Sequence, residues 1–170
     1  MLWAPTKPVP PVTITRIRGE RTLGPMTLSP QEVSDRLEIQ DLLVDYSHAI
    51  DTRDWDALDD VFTPDAFIDY SAFGGSTGDL ATTKEFLATA LANFPGFQHM
   101  VSTSKVTVDG DTATGRTICH NPMVLSEGES GPHLMFCGLW YVDRFVRTDA
   151  GWRIKERVEE KCYMHVLPRP

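Results

Sequence analysis

The chain changes its hydrophobic periodicity once, near residue 99, and this change limits the folds that it can adopt. Before that point apolar residues recur at the spacing of amphipathic helices, and after it they alternate as in strands. Helices followed by a run of long strands favour an α+β fold and exclude an alternating βαβ order. We expect a cone-shaped α+β barrel, in which three N-terminal helices and a strongly bent antiparallel sheet enclose a hydrophobic pocket.

The first helix has a clear start signal. Ser29 and Glu32 have the spacing of a capping box, and Pro30 takes the first helical position, where no amide donor is needed. An apolar stripe that includes Tyr46 then continues to about Ile50, where we predict that the helix ends.

Two further helices are predicted before residue 99. Asp54 can cap a second, short helix. Thr82 and Glu85 form another capping box, which predicts a third helix that ends at Pro95-Gly96.

Strand patterns occupy most of the remaining chain. Asp109-Gly110 is a typical hairpin turn. In the last strand, alternation puts Arg157 and Glu159 on the solvent face, whereas Glu156 and Glu160 interrupt the apolar face and are interpreted as bulge or rim residues. The predicted strands are a short one at 66–70 and long ones at 99–108, 112–125, 134–147 and 152–166.

The length of 170 residues indicates one domain. We assign it to residues 29–167 and treat residues 1–28 as an N-terminal arm, because four prolines within the first eleven residues disfavour helix. Two interpretations of the arm stay open. Its alternating stretch 12–17 can add to a sheet edge or to a neighbouring subunit, or Met26 is the natural start of the chain.

Composition excludes several classes of function. A net charge of -8 repels phosphate backbones, and no apolar run reaches the roughly 18 residues that span a bilayer. Cys119, Cys137 and Cys162 lack the spacing of a zinc site, and the histidines lack metal-ligand spacing. We therefore expect a cytoplasmic protein that binds no metal, nucleic acid or membrane.

Four stretches of the chain resemble a known family: LLVDYSHAIDTRDWDALDDVFTPDA, FQHMVS, VDGDTA and GWRIKERV. The pattern resembles the SnoaL-like branch of the nuclear-transport-factor-like superfamily over about residues 30–166. Within that branch it is most similar to the group of scytalone dehydratase and bile acid 7α-dehydratase. The fold hosts dehydratases, isomerases, cyclases and non-catalytic subunits, so the resemblance implies the fold more strongly than the activity.

The resemblance also implies a site built from tyrosine, aspartate and histidine side chains inside the cone. In that site Asp51 orients the base His99 and stabilises its charged form, while Tyr46 assists at an oxygen. Where the bile acid enzyme leads us to expect a further acid on the following strand, this chain has His120-Asn121, so the leaving-group role and the substrate stay open. The positions that match the family pattern are Tyr46, Asp51, Tyr70 and His99.

From the residues alone, simpler interpretations stay open. Tyr46 can be a core tyrosine, Asp51 a turn cap and His99 a structural histidine. The candidates for substrate binding are Tyr70, Asn121 and Trp55. The first of these can equally lie at a rim, and the second can bond only to backbone.

Two functions follow as hypotheses. The first is a cofactor-independent dehydratase-type lyase or isomerase that moves a proton next to a carbonyl of an apolar cyclic substrate, such as a steroid- or polyketide-like molecule. The second is a non-catalytic module that holds a hydrophobic ligand, or a subunit resembling the small subunit of ring-hydroxylating dioxygenases. In both cases we expect a homodimer or homotrimer, because the resemblance implies self-association.

We predict that a chain beginning at Met26 keeps its melting temperature within a few degrees of the full chain. The physical reason is that the helix start at Ser29 needs nothing from the arm. Thermal unfolding followed by circular dichroism measures the difference, and loss of folding would indicate that the arm supplies a strand.

Overall fold

The computed structural model describes residues 28–125 and 133–167, and the predicted N-terminal arm lies outside them except for Leu28. The described residues form an α+β fold with two α-helices, two short 3₁₀ helices and one strongly curled sheet of seven strands. In chain order these are α1 Pro30–Thr52, a 3₁₀ helix Asp56–Asp60, β1 Phe62–Asp69, a 3₁₀ helix Ser71–Phe73, β2 Thr77–Gly78, α2 Leu80–Leu91, β3 Gly96–Phe97, β4 Met100–Asp109, β5 Thr112–Leu125, β6 His133–Thr148 and β7 Gly151–Val166.

The sheet has the strand order β2-β1-β7-β6-β5, and both β3 and β4 pair with β5. β4 lies along the first part of β5 and β3 along its end. All pairs are antiparallel except β1 with β7, which are parallel. The expected purely antiparallel sheet is therefore wrong at this one pair. Its two strands are separated in sequence by α2 and five other strands, so no hairpin turn fixes their relative direction.

Two helix predictions need correction. The second predicted helix is a five-residue 3₁₀ helix, although Asp54 Oδ1 does accept from the backbone amide of Ala57 at 3.2 Å. Fewer than two α-helical turns fit between Asp54 and the start of β1 at Phe62, and so short a segment does not repay the cost of an α-helical nucleus. The third predicted helix begins at Leu80 rather than at Thr82, because Asp79 is the N-cap and accepts from the amide of Thr82 at 2.8 Å.

The first helix begins as predicted. The Ser29 hydroxyl accepts from the amide of Glu32 at 3.1 Å, and the carboxylate of Glu32 pairs with Arg36. The helix continues to Thr52, two residues past the predicted end, and Arg53 stops it in the left-handed conformation with φ of 58°. α1 then packs against β4 and β7, while α2 packs against β1.

A bulge in β7 changes which of its side chains face inward. Arg144 of β6 pairs with Glu156, but the next residue, Phe145, pairs with Ile154. Lys155 therefore has no partner in β6. One extra residue in a strand reverses the alternation beyond it, because side chains project to opposite faces with a period of two.

The prediction that Arg157 lies on the solvent face is therefore wrong. Arg157 is fully buried and lies beside Asp143 on the inner face of the sheet. Glu159 follows with the same inward parity, beside Tyr141, so its predicted exposure is also wrong. In β5 the alternation is regular, since every second residue from Ala113 to Met123 is buried.

Asp35 connects α1 to the β6–β7 hairpin near its turn, where Arg147 and Trp152 lie. Its Oδ1 accepts from Arg147 Nη2 at 2.7 Å, from Gln31 Nε2 at 2.9 Å and from Trp152 Nε1 at 3.3 Å. The residue is only 3% exposed. Burial opposes ionisation, but the hydrogen bonds from Arg147, Gln31 and Trp152 outweigh it and lower the pKa of Asp35.

We expect Asp35→Ala to lower the free energy of unfolding by about 2–3 kcal/mol at neutral pH, because the charged and indole donors lose a buried acceptor. Since folding lowers the pKa of this carboxyl, its contribution is present above the ordinary aspartate pKa of about 3.9 and is lost as the pH falls through the folded-state pKa. Urea unfolding at neutral and acidic pH measures this, and the difference from the parent chain should shrink in acid. Asp111→Ala removes the exposed carboxylate on the same Arg147 and should cost less than about 0.5 kcal/mol. An equal loss in the two variants would contradict this account.

Candidate active site

Asp51 and His99 form a direct side-chain contact between the last turn of α1 and the segment before β4. His99 Nδ1 lies 2.7 Å from Asp51 Oδ1, and the backbone amide of His99 donates to both carboxylate oxygens at 3.0 Å. One carboxylate thus fixes the backbone and the ring of His99 together. The same bonds compensate for the position of Asp51 at the negative end of the helix dipole.

Asn121 contacts the other nitrogen of the imidazole. Its Nδ2 lies 3.1 Å from His99 Nε2, which fits a neutral ring that donates Nδ1–H to Asp51 and accepts at Nε2. The Asn121 residue is 7% exposed, and its Oδ1 is buried without a hydrogen-bond partner among the described residues. A buried amide oxygen without a partner is costly, so the site offers a free acceptor directly beside the imidazole.

Tyr46 and Tyr70 form a hydroxyl pair in the same interior. Their hydroxyl oxygens are 2.8 Å apart, and the Tyr46 ring meets the His99 ring edge-on with 6.4 Å between centroids. Burial raises the pKa of Tyr46 and raises that of Tyr70 well above its usual value. Both phenols therefore stay protonated, and the pair can donate a hydrogen bond to an oxygen.

An ion pair that the sequence did not predict lies beneath the tyrosines. Arg157 donates to Asp143 through Nε at 2.7 Å and through Nη2 at 2.9 Å, and both side chains are fully buried. Its guanidinium carbon lies 4.1 Å from the ring centroids of both Tyr46 and Tyr141. Burial opposes the charge, but Asp143 keeps the pKa of Arg157 well above its usual value.

The site contains a cavity of about 370 Å³. Tyr46, Tyr70, His99 and Asn121 all line it, so the structure brings four of the predicted site residues to one space. Trp55 is not among the lining residues, and its expected contact with substrate has no support here. Most of the remaining wall is apolar, including Phe73, Phe86, Leu87, Phe94, Met123 and Leu139.

Glu159 is the one carboxylate in the lining of this cavity, as far as the described residues show. Burial raises its pKa to about 8, with Asp69 acting in the same direction and Arg157 against it. Sequence reasoning missed this residue. The interruption at Glu156 was interpreted as a bulge or rim residue, but Val158 and Cys162 continue the apolar parity, so the pattern did not indicate that the faces change over. The carboxyl group in this cavity is therefore on β7, whereas the family resemblance led us to expect an acid where the chain has His120-Asn121.

Other chemistries find no support in the parts of the chain that the structure describes. Residues 28–125 and 133–167 contain no cluster of three histidine, cysteine, aspartate or glutamate side chains that could hold a metal ion. No helix among them is long and apolar enough to cross a membrane. Burial raises the pKa of the Cys119 thiol to about 12, which argues against its use as a nucleophile.

Comparison with known proteins agrees with this architecture. The model of the SnoaL-like domain family matches residues 31–158. An uncharacterized protein of Mycobacterium tuberculosis, Rv2910c, is 56% identical over 140 residues, which are 82% of this chain and 94% of that protein.

Solved structures share the fold at lower identity. An aromatic ring hydroxylase-like protein of Novosphingobium aromaticivorans is 32% identical, with a TM-score of 0.69 over 79% of this chain and 94% of its own. A hexachlorocyclohexane dehydrochlorinase of Novosphingobium barchaimii is 20% identical, with a TM-score of 0.69 over 79% of this chain and 91% of its own, and shows similarity of fold alone. Scytalone dehydratase-like proteins are also among the similar structures. The resemblance seen in the sequence is confirmed, and the chain belongs to the SnoaL-like domain family, whose fold is that of the nuclear-transport-factor-like superfamily.

Proposed function

We propose that this protein is a cofactor-independent lyase of the dehydratase type, or an isomerase, that moves a proton next to a carbonyl of an apolar cyclic substrate. The observation that supports this most directly is the Asp51–His99 pair, whose imidazole faces an apolar cavity that also holds the Tyr46–Tyr70 hydroxyls. A base and hydroxyl donors facing one largely apolar space are the parts that enolisation needs.

His99 acts as the base in this proposal. Asp51 holds the Nδ1–H tautomer, which leaves the Nε2 lone pair on the cavity side. In the substrate complex the C–H beside the carbonyl takes the place of the Asn121 amide at Nε2. The proton moves to Nε2, and the electrons of the C–H bond move toward the carbonyl oxygen.

The tyrosine pair stabilises the charge that develops on that oxygen. Tyr46 and Tyr70 share one hydrogen bond between them, so one hydroxyl proton remains to be donated to the substrate. Asn121 contributes its Oδ1, which can accept a hydrogen bond from a hydroxyl of the ligand. The polar groups thus orient the substrate, and the apolar wall provides most of its contact area.

Magnitudes decide which reactions this site can catalyse. A positioned base contributes about 10²–10⁴-fold, and an oxyanion donor adds about 10²–10³-fold. Together they suffice for a C–H bond that a carbonyl or its vinylogue already acidifies, but not for an unactivated one. The proposal is therefore restricted to elimination or proton transfer next to a carbonyl.

Self-association is part of the proposal, since proteins with this fold often oligomerise. Large apolar side chains lie half-exposed on the outer face of the sheet, among them Ile118, Leu134 and Tyr163. Exposed apolar groups on one sheet face favour burial against a second copy, as a homodimer or homotrimer.

A second candidate function is a non-catalytic module or an accessory subunit of a ring-hydroxylating enzyme. The observation that favours it is the 32% identity to an aromatic ring hydroxylase-like protein. In that case the cavity would hold a ligand without turning it over, which the following experiment distinguishes.

We expect His99→Ala to lower solvent-deuterium exchange at the carbons beside the carbonyl of bicyclic ketones by about 10²-fold or more, because the base is lost. Mass spectrometry of 2-tetralone and of ketone-bearing steroids after incubation in D₂O measures the exchange. His48→Ala, which removes an exposed histidine of α1, is the control and should leave the rate unchanged. If the parent chain binds these ketones but exchanges them no faster than His99→Ala does, the binding module is the better account.

We expect Asp51→Asn to lower the same exchange rate by about 10²–10⁴-fold while changing the free energy of unfolding by less than about 1 kcal/mol. The amide oxygen can still accept from the backbone amide of His99, but an uncharged group does not stabilise an imidazolium. Exchange rates and urea unfolding are measured on the same samples, with Asp45→Asn on the exposed side of α1 as control. Matching losses of activity and stability would assign Asp51 a structural role.

A further inference from the structure

Glu159 lies in the cavity for a geometric reason. The bulge at Lys155 turns it inward, and it is the cross-strand neighbour of Tyr141 on the inner face of the sheet. It lines the same cavity as His99, which lies just before β4, and Asn121, which lies on β5. In the sheet, β6 lies between β5 and β7.

A second feature of Glu159 is that its carboxyl group forms no salt bridge with the residues that the structure describes. The neighbouring guanidinium of Arg157 gives two hydrogen bonds to Asp143, and among the described residues no salt bridge includes Glu159. Burial raises its pKa to about 8, so the group is largely a neutral acid at pH 7. A protonated carboxyl group is a donor, whereas most carboxylates at that pH can only accept.

Titratable and charged groups on several elements interact electrostatically with Glu159. Asp69 raises its pKa and Arg157 lowers it, both through charge. The other groups that interact electrostatically with it are thiols and phenols, whose pKa values are raised by burial first and by the charge of Glu159 to a smaller extent. They are Tyr46 on α1, Tyr70 after β1, Cys119 on β5, and Cys137 and Tyr141 on β6.

We propose that Glu159 is the general acid that protonates a departing hydroxyl group, so that the substrates of this site are cyclic β-hydroxy ketones or their vinylogues. This inference rests on the proposed function, because it adds a second proton transfer to the one at His99. It also selects dehydration over isomerisation as the reaction.

The step balances in atoms and charge. His99 Nε2 takes the proton from the carbon beside the carbonyl, and the electron pair of that C–H bond forms the new C=C bond. The C–O bond to the hydroxyl group breaks, and its oxygen takes the proton of Glu159 and leaves as water. The imidazolium and the carboxylate that remain return to their starting states when the proton passes from one to the other through solvent.

Glu159 suits this role better than the tyrosines do. Burial raises the pKa of both Tyr46 and Tyr70 from the usual phenol value, which makes them weaker acids. A donor whose pKa lies near the working pH transfers its proton more readily. The phenols are therefore left to bind the carbonyl oxygen, and the carboxyl group serves the leaving group.

The test compares two leaving groups in Glu159→Gln. Loss of hydroxide from 3-hydroxycyclohexanone needs a proton, whereas loss of acetate from 3-acetoxycyclohexanone does not. We expect the variant to lose about 10²-fold or more of the first rate and to keep the second rate, and the deuterium exchange of 2-tetralone, within about threefold. In the parent chain the first rate should fall as the pH rises through about 8, where Glu159 loses its proton, and the second should not.

The control is Glu160→Gln, since Glu160 is the next residue of β7 and pairs with Arg116 away from the cavity. It should leave all three rates unchanged. Equal losses of both eliminations in Glu159→Gln, or a parent chain that exchanges 2-tetralone but eliminates neither group, would overturn the role of Glu159 and leave the base at His99 in place. A parent chain that catalyses no exchange at all would instead overturn the proposed function and this inference with it.

Discussion

The interior of this protein depends on one buried ion pair. Arg157 and Asp143 lie side by side on the inner face of β7 and β6, without exposure to solvent, and the guanidinium is held between the rings of Tyr46 and Tyr141. Removing one charge of such a pair leaves the other uncompensated and costs about 3–5 kcal/mol. The pair therefore fixes α1 against the sheet at the level of Tyr46, one and a half helical turns before Asp51. The distance between the tyrosine hydroxyls and the imidazole follows from this contact.

The chemistry of the cavity depends on Asp143, which balances the charge of Arg157 inside the protein. Asp143 accepts two hydrogen bonds from Arg157, and no salt bridge among the described residues includes Glu159. A carboxyl group without a cation in an apolar space favours its neutral form. Two acids on neighbouring strands thus have different surroundings: Asp143 pairs with an arginine, whereas Glu159 faces the cavity and is available as a proton donor.

The sequence predicted the α+β order, the boundaries of the long strands and the start of α1, because each rests on local patterns of period two or on a cap. It also predicted that Asp51, His99, Tyr46, Tyr70 and Asn121 belong to one site, but this came through the family resemblance, and the structure supplies the contacts. Arg157 and Glu159 were assigned to the wrong face, since a bulge is decided by cross-strand pairing rather than by the strand's own sequence. The second helix was predicted as a short helix and is a 3₁₀ helix, because its signal was a cap, and a cap does not specify which kind of turn follows it.

The bulge at Lys155 also has a consequence for how such a site can change over generations. In a regular strand, the insertion or deletion of one codon exchanges the inner and outer side chains beyond it. The bulge behaves differently, because a chain that lacked Lys155 would still have Glu156 opposite Arg144 and Arg157 opposite Asp143. Arg157 and Glu159 would then keep their inward positions in a regular strand. The inward charges therefore survive the loss of one codon at this place, whereas the same event between Arg157 and Glu159 would carry the carboxyl group to the outer face.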